Sequence, residues 1–572
     1  MRLKNLFGMA AMLALAASCS EKELVESGGT SQAGTSYAAF NIVLPTTNST
    51  RAVGDPTYNH GDIEEYKVNN GTILIFQKTG TEYAFIEKAT LDLGEWSTPP
   101  DTPDGITTKA KVTAQLKSVS SAARSDYYAL VLLNNNNAVS TPTSGKYSTW
   151  NNAAQAKTVK DLIGASKDNF LMTNAALKGD NPFNTLVKID KTKIYATKDD
   201  AAGGDAAEIY VQRAVAKVTA KVGTGTGISG NTVNVKGSTT DAVEFNKWAL
   251  DVTNKKTFPV QNISTLDEGI WEFARNTVNY TVGNQNRLFW AIDPNYNNGD
   301  LNLDDVEKKG NKAREENFNK VIAANITNDM GTSDYCLENT FDLNNQKQGQ
   351  TTRVVFKATY KVNNAAATFH KIGNNTEIMS SETLEGKIKA AAQEIYNATG
   401  ATGEIVVSLG SIGTTASAKH MVAVENIKVK VGPTETQLDA ATEYGVDKKL
   451  TGTQIVKAVN DNLGLTTDAG ISTYPGGATY YIARIKHFGD TYTPWISGDP
   501  AYGPDTNNDR WLGRYGVLRN NWYELQVNSV SGPGYPTIPP VKPSTPDDES
   551  ENYISCTIKI LDWAKRVQDI DL

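Results

Sequence analysis

Side chains able to do chemistry are few in this sequence and far apart. His60, His370, His420 and His487 are its only histidines, and Cys19, Cys336 and Cys556 its only cysteines. No two of these seven fall at metal-ligand spacing, so a histidine- or thiolate-rich metal site is not expected. Gly225-Thr-Gly227-Ile-Ser-Gly230 matches the dinucleotide pattern G-x-G-x-x-G, but strand-like Asn231–Val235 follows it. Without a helix N-terminus a pyrophosphate has no seat, and the stretch reads as a linker. Asp293-Pro-Asn295-Tyr-Asn297-Asn-Gly299-Asp300 alternates oxygen-bearing side chains as a calcium loop does. Its glycine stands seventh rather than sixth and its twelfth residue is Asp304 rather than Glu, so a turn is the better reading, with calcium left open.

Hydrolase and phosphate-loop signatures are absent, and a glycosidase carboxylate pair has no positive support. Tyr474, Tyr480, Tyr481 and Trp495 could form a platform for sugar stacking, although strand aromatics more often pack in a core. Cys336 and Cys556 read as small buried hydrophobes, with pairing in an oxidising exterior left open. The expectation is no catalytic residue, no metal and no cofactor.

The 572 residues, 39% hydrophobic and 21% charged, suit a protein of several domains with sizeable cores. A net charge of −7 argues against nucleic acid as a partner, since phosphate binding needs a basic excess. Arg2 and Lys4 precede an apolar stretch from Leu6 to Ala17, then Ser18-Cys19. This pattern reads as a lipoprotein signal that leaves Cys19 as the lipidated first residue; a plain signal peptide is the alternative. A polar Ser/Gly/Thr/Glu tether follows, and then Tyr37–Leu44, whose Phe40, Ile42 and Leu44 share one face of a period-two strand. Beyond Pro45, the lone Arg51-Ala52 bond in a polar stretch is accessible to a trypsin-like protease, although an ordinary surface arginine is the better reading of these residues alone.

From there β-branched and aromatic runs predict many short strands: Thr72–Gln77, Tyr127–Leu133, Ile209–Val222, Trp248–Val252, Leu288–Ile292, Thr352–Val362, Glu404–Leu409, Val422–Val431, Tyr480–Ile485 and Trp522–Val530. Helical spacing is confined to Leu384–Asn397, Thr453–Leu463 and Thr158–Ala165. Gly223–Gly230 is the best boundary between two sandwich-sized halves. Gly532–Ser550, rich in proline, predicts a semi-rigid spacer with a further alternating strand beyond it. There Ile554, Cys556, Ile558 and Ile560 face one way; with a poor local partner expected, the strand could fold back or reach another molecule.

Four stretches carry a resemblance: Val211–Lys217, Tyr335–Thr340, Val517–Tyr523 with its Arg519-Asn-Asn521, and Ile554–Leu572 with Trp563 and a final Asp-Leu. Together with the signal, Arg51 and the terminal strand, they resemble Bacteroidetes fimbrillins of type V pili, and the shaft subunits of minor fimbriae in particular. The expected fold class is mainly β, with two transthyretin-like/Greek-key β-sandwich domains in tandem and a few helical insertions. The expected organisation is a signal peptide (1–18), a propeptide with the first strand (19–51), an N-terminal sandwich with an acceptor groove (52–223), a C-terminal sandwich (224–531) and a proline-rich arm with a donor strand (532–572). The resemblance implies a lipoprotein precursor at the outer membrane, cut between Arg51 and Ala52 by an arginine-specific protease. Loss of Phe40, Ile42 and Leu44 with their strand then opens a groove that Ile554, Cys556, Ile558 and Ile560 of another copy fill. The implied partners are further copies, accessory, tip and anchor subunits, and host or bacterial surface receptors. The rival readings are a surface glycan-binding lipoprotein and an anchor or accessory subunit.

Overall fold

The computed structural model describes residues 35–568 apart from 46–59, 99–105, 123–125, 154, 179–182, 264–280, 283–284, 288–289, 292, 296–315, 342–344, 374, 489–510, 542–553 and 562–565. Cys19, the Arg51-Ala52 bond and Trp495 therefore lie outside the described residues, as does the strand character expected at Leu288–Ile292 for three of its positions.

In the first half, β1 (Ser36–Pro45), β2 (Gly71–Thr79), β3 (Glu82–Asp92), β4 (Ile106–Leu116), β5 (Tyr127–Leu133), β6 (Met172–Asn174) and β7 (Ala207–Arg213) run in the order β5-β2-β3-β4-β1-β7-β6. β6 also pairs with β5 at Leu132–Thr173 and Leu133–Met172, so the two layers join along both edges. β3 and β4 touch at only two residue pairs, which bends the sheet into a sandwich over one shared core. Phe40, Ile42 and Leu44 meet Ile73, Ile75, Leu130 and Leu132 in that core, all with no exposed surface.

The second half stacks two sheets. One contains β8 (Val215–Val222), β10 (Ser333–Leu337), β13 (Trp522–Val530), β14 (Ile554–Leu561) and β15 (Arg566–Gln568) in the order β10-β8-β13-β14-β15. The other centres on β9 (Ala242–Asp251), β11 (Arg353–Val362) and β12 (Ala478–Arg484). Val218, Leu525, Phe245, Phe356 and Tyr481 fill the space between them. The changeover between sandwiches falls at Ala214, one strand before the expected boundary at Gly223–Gly230. β7 and β8 are separated by that one residue, and no turn composition marks the step. Gly225–Gly230 instead forms a hairpin turn into Thr232–Asn234, so no helix follows the glycine pattern.

Between β11 and β12 the chain makes an insertion on a stalk of Phe369–Ile372 paired with Ile471–Tyr474. It holds a 17-residue helix, Ser381–Asn397, and a second helix, Gly452–Asn462. Leu384, Ile388, Ile455 and Val459 close a core of its own. The helix edges follow local chemistry: the Ser380 hydroxyl caps Thr383 N–H, and Gly400 at φ +73° supplies the left-handed turn after the end.

A buried ion pair links the two sandwiches. Glu65, in the single helical turn Ile63–Tyr66, sits 2.7 Å from the Lys217 ammonium of β8, and both side chains are at most 3% exposed. The Tyr335 hydroxyl donates to the same carboxylate, and Arg213 Nε donates to the Glu65 carbonyl at 2.7 Å. Arg213 also donates through its backbone N–H and Nη1 to Asn520 Oδ1 of the second half. Burial pushes the Glu65 carboxyl up, but Lys217, Tyr335 and Arg213 outweigh it and hold it below its ordinary range.

The arm after β13 differs from expectation over its first half. Tyr481 and Tyr474 hydroxyls donate to the carbonyls of Gly532 and Gly534 at 2.9 and 2.8 Å, and Tyr535 exchanges both backbone bonds with Tyr480. Arg353 Nη2 reaches Pro539 O at 2.8 Å. Gly532–Val541 is thus strapped onto β12 instead of standing free. The terminal strand also has a local partner: β14 pairs antiparallel with β13 from Val530–Ile554 to Trp522–Leu561. Tyrosine and arginine tethers to backbone carbonyls, which have no one-dimensional signature, account for the first difference, and a backbone ladder for the second.

Two outcomes follow. Glu65→Gln leaves the buried Lys217 ammonium with only the exposed Asp62 carboxylate at 3.9 Å as a counter-charge and should cost up to about 3–5 kcal/mol in denaturant unfolding near neutral pH. The depressed carboxyl stabilises the fold above its unfolded value and loses that contribution as pH falls through its folded one. The gap between variant and parent should therefore close below about pH 4. Tyr481→Phe deprives Gly532 O of its donor, at about 1 kcal/mol, and amide exchange across 532–541 should quicken about fivefold.

Candidate functional site

The sequence-predicted first strand occupies the middle of the first sandwich. β1 pairs antiparallel with β4 from Ser36–Leu116 to Leu44–Thr108, with a bulge before Pro45. On its other side Phe40, Asn41, Ile42 and Val43 pair in parallel with Ala207, Glu208, Ile209 and Tyr210 of β7. One face carries Phe40, Ile42 and Leu44 into the core. Ala39 and Val43 on the other face are also buried, in keeping with the helix Lys198–Gly203 packing on β1 and β4. Withdrawing β1 would strip both neighbours of their ladder and uncover three large apolar side-chain sites, worth roughly 5–9 kcal/mol together. The chain leaves β1 at Pro45 and is next described at His60, whose carbonyl accepts from Arg213 at 3.3 Å. The Glu65 joint therefore holds the chain on the far side of Arg51 independently of β1.

β4 is one of the strands that sequence reasoning missed, and it is β1's longest partner. Its signal was present: Ala110, Val112, Ala114 and Leu116 are buried, while Lys109, Lys111 and Gln115 between them are exposed. Small alanines and threonines made that alternation faint.

At the other end of the chain, β14 carries Ile554, Cys556, Ile558 and Ile560. It has one long neighbour, β13, and a short hairpin partner, β15, through Ile558–Gln568, Lys559–Val567 and Ile560–Arg566. β15 is the outermost strand of that sheet. The two predicted strands thus differ in kind: β1 is held by ladders on both sides, whereas β14 and β15 form a peripheral hairpin whose removal leaves an ordinary sheet edge.

Residues considered for other chemistry have structural work. Tyr474 and Tyr481 are at most 3% exposed with their hydroxyls tied to the arm, so they pack in the core, the better of their two readings, and offer no sugar platform. His370 is buried between Thr473 Oγ1 (3.0 Å) and Ser381 Oγ (2.9 Å), and His487 Nδ1 meets Tyr523 OH at 2.7 Å. Asp293 accepts from Asn295 N–H, Asn295 Nδ2 and Thr340 N–H at 2.7–2.8 Å, while burial pushes its carboxyl up to about 7. Its lone pairs serve Asn295 and Thr340, while the rest of that loop, from 296 onward, lies outside the described residues. Among the described residues no group of three or more His, Cys, Asp or Glu is placed to hold a metal ion. Cys336 is buried, and burial pushes its thiol well up, which leaves it a poor nucleophile. Cys336 in β10 and Cys556 in β14 are three strands apart, about 14 Å, too far for a bond within one chain.

Comparison with known proteins bears on the same terminal region. Residues 472–569 match the family model described as major fimbrial subunit protein type IV, fimbrillin, C-terminal. That match takes in β12, β13, β14 and β15. No curated protein matches the chain. Similar solved structures include one from Parabacteroides distasonis ATCC 8503 provisionally assigned to cell adhesion, at 11% identity, with 93% of this chain and 98% of that one covered and a TM-score of 0.35. A fimbrial assembly protein from the same organism covers 41% of this chain and 69% of its own at 14% identity and a TM-score of 0.23. The tip fimbrial protein Mfa3 from Porphyromonas gingivalis, truncated at its C-terminus, covers 92% and 100% at 11% identity and a TM-score of 0.27. Superpositions this loose carry no weight of their own, and the assignment rests on the terminal match. Residues 472–569 of this mainly β chain are thus similar to the C-terminal region of fimbrillins.

Proposed function

We propose that the chain is a non-enzymatic shaft subunit of a cell-surface fimbria, polymerising when the C-terminal strand of one copy replaces β1 of the next. One observation carries this reading: the first described strand is also a central strand, apolar and buried, and the chain runs from its Pro45 end into the rest of the sandwich. A trypsin-like or arginine-specific protease cutting between Arg51 and Ala52 severs the chain on that side. Cleavage alone does not empty the slot, because the released peptide still buries Phe40, Ile42 and Leu44. An incoming strand therefore displaces β1 rather than entering an open groove. Ile554, Cys556, Ile558 and Ile560 supply a matching alternation, and the hairpin that carries them detaches at the cost of one long ladder. Addition of a strand to unpaired sheet edges supplies main-chain bonds, with pockets reading alternate side chains. A donor at one end and an acceptor at the other give a head-to-tail contact that does not close, and so an open fibre.

In this account the precursor is a lipoprotein of the outer membrane acylated at Cys19, and processing frees it from that anchor. Loss of the lipid argues against an anchor role, and a donor strand argues against a tip, which has no onward neighbour. Accessory, tip and anchor subunits are the remaining assembly partners, and adhesion to host or bacterial surfaces is a property of the assembled fibre.

Trypsin-like treatment of the precursor should yield heat-dissociable ladders on gels, and Arg51→Ala should stay monomeric under the same treatment. Ladders from Arg51→Ala equal to those of the parent would remove the proposed trigger. Deleting Tyr553–Leu572 should give monomers or capped short species in electron micrographs; long fibres from that truncation would defeat the donor assignment.

A further inference from the structure

A cleft of about 490 Å³ opens at the far side of the first sandwich, lined by residues outside β1, β4 and β7. Its walls carry Tyr83, Tyr128 and Tyr147, and its rim the amides of Asn152, Asn184 and Asn262. Asn262 arrives from the second half of the chain: Lys256–Thr257 pairs with Gln155–Ala156, and Val260 N–H donates to Asn151 Oδ1 at 2.9 Å. The cleft thus lies at a seam between the two halves, where small-molecule sites concentrate, and its volume is within their usual range.

From this lining we propose that the cleft binds a neutral carbohydrate. The half-buried Tyr83 ring is braced by Tyr128, with centroids 4.8 Å apart and planes at 77°, so it is presented without loss of rotamer freedom on binding. Tyr147 is fixed through its hydroxyl to Thr185 Oγ1 at 2.9 Å. Asn262 Nδ2 donates to Asn152 Oδ1 at 2.7 Å, which orients the exposed Asn152 amide and turns its own N–H groups outward. Asn184 Oδ1 accepts from Leu186 N–H at 2.9 Å and its side chain also hydrogen-bonds the Tyr83 hydroxyl, which helps to fix that ring. Aromatic rings beside fixed amide donors suit a sugar, whose C–H face stacks and whose hydroxyls accept and donate. Lys78 is the only charged group among the described lining residues, too few for a phosphate or an acidic polymer. The site stays clear of β1's slot, so a filament would present it once per subunit.

The full chain is titrated with methyl mannoside, methyl galactoside, N-acetylglucosamine, lactose and inorganic phosphate, with saturation-transfer NMR as readout. At least one sugar should bind in the millimolar range or tighter, and Asn152→Ala should weaken it about tenfold at a temperature where the variant is shown to be folded. Tyr83→Ala should abolish it; should that variant fail to fold, Asn152→Ala decides alone. Absence of binding to all four sugars overturns the proposal, as does binding indifferent to Asn152→Ala or phosphate competing for the same residues.

Discussion

A strand that is central in its sheet is normally fixed by chain connections at both ends. β1 is central, with a ladder to β4 on one side and to β7 on the other, and it is the first of the described strands. The first sandwich depends on that one strand for its core, since Phe40, Ile42 and Leu44 fill space that no other described element occupies. Cutting the chain beyond Pro45 changes none of these contacts. It changes only whether β1 must return to its own slot when it leaves, and so makes the strand exchangeable.

The rest of the architecture keeps this exchange local. The Glu65–Lys217 pair, with Tyr335 and Arg213 around it, fixes the chain just past the cleavage segment and ties it to the second sandwich. Under the proposed exchange, the module would trade its first strand while its two halves stay in register. At the opposite end, tyrosine tethers hold Gly532–Val541 to β12, so the departure point of the terminal hairpin is fixed. β14 then rests on a sheet edge, where pairing to its own β13 and pairing to a neighbour compete for the same backbone groups.

Much of this was legible in the sequence. The period-two pattern of Phe40, Ile42 and Leu44 and that of Ile554 to Ile560 marked both strands, because alternation is a local property. The capped helix after Ser380 and its glycine stop were equally plain. β3 and β4 escaped notice since lysines, threonines and alanines dilute their apolar faces. The step from β7 to β8 at Ala214 carries no turn residue, so the boundary was placed at the glycines one strand later. Tyr474 and Tyr481 looked available for stacking because a sequence does not show that a distant arm takes their hydroxyls. The Glu65 joint joins residues 152 positions apart, and the tyrosine–asparagine cleft gathers residues from Lys78 to Ile263; neither has a spacing to read.

The central claim is that polymerised subunits have lost β1 and that another chain fills its place. Denaturing intact-mass spectrometry of purified fibres tests this directly. The account predicts chains that begin at Ala52 and no stoichiometric fragment containing Tyr37–Leu44. Subunits that still carry lipid-modified Cys19, or a β1 peptide retained one per subunit, would contradict it.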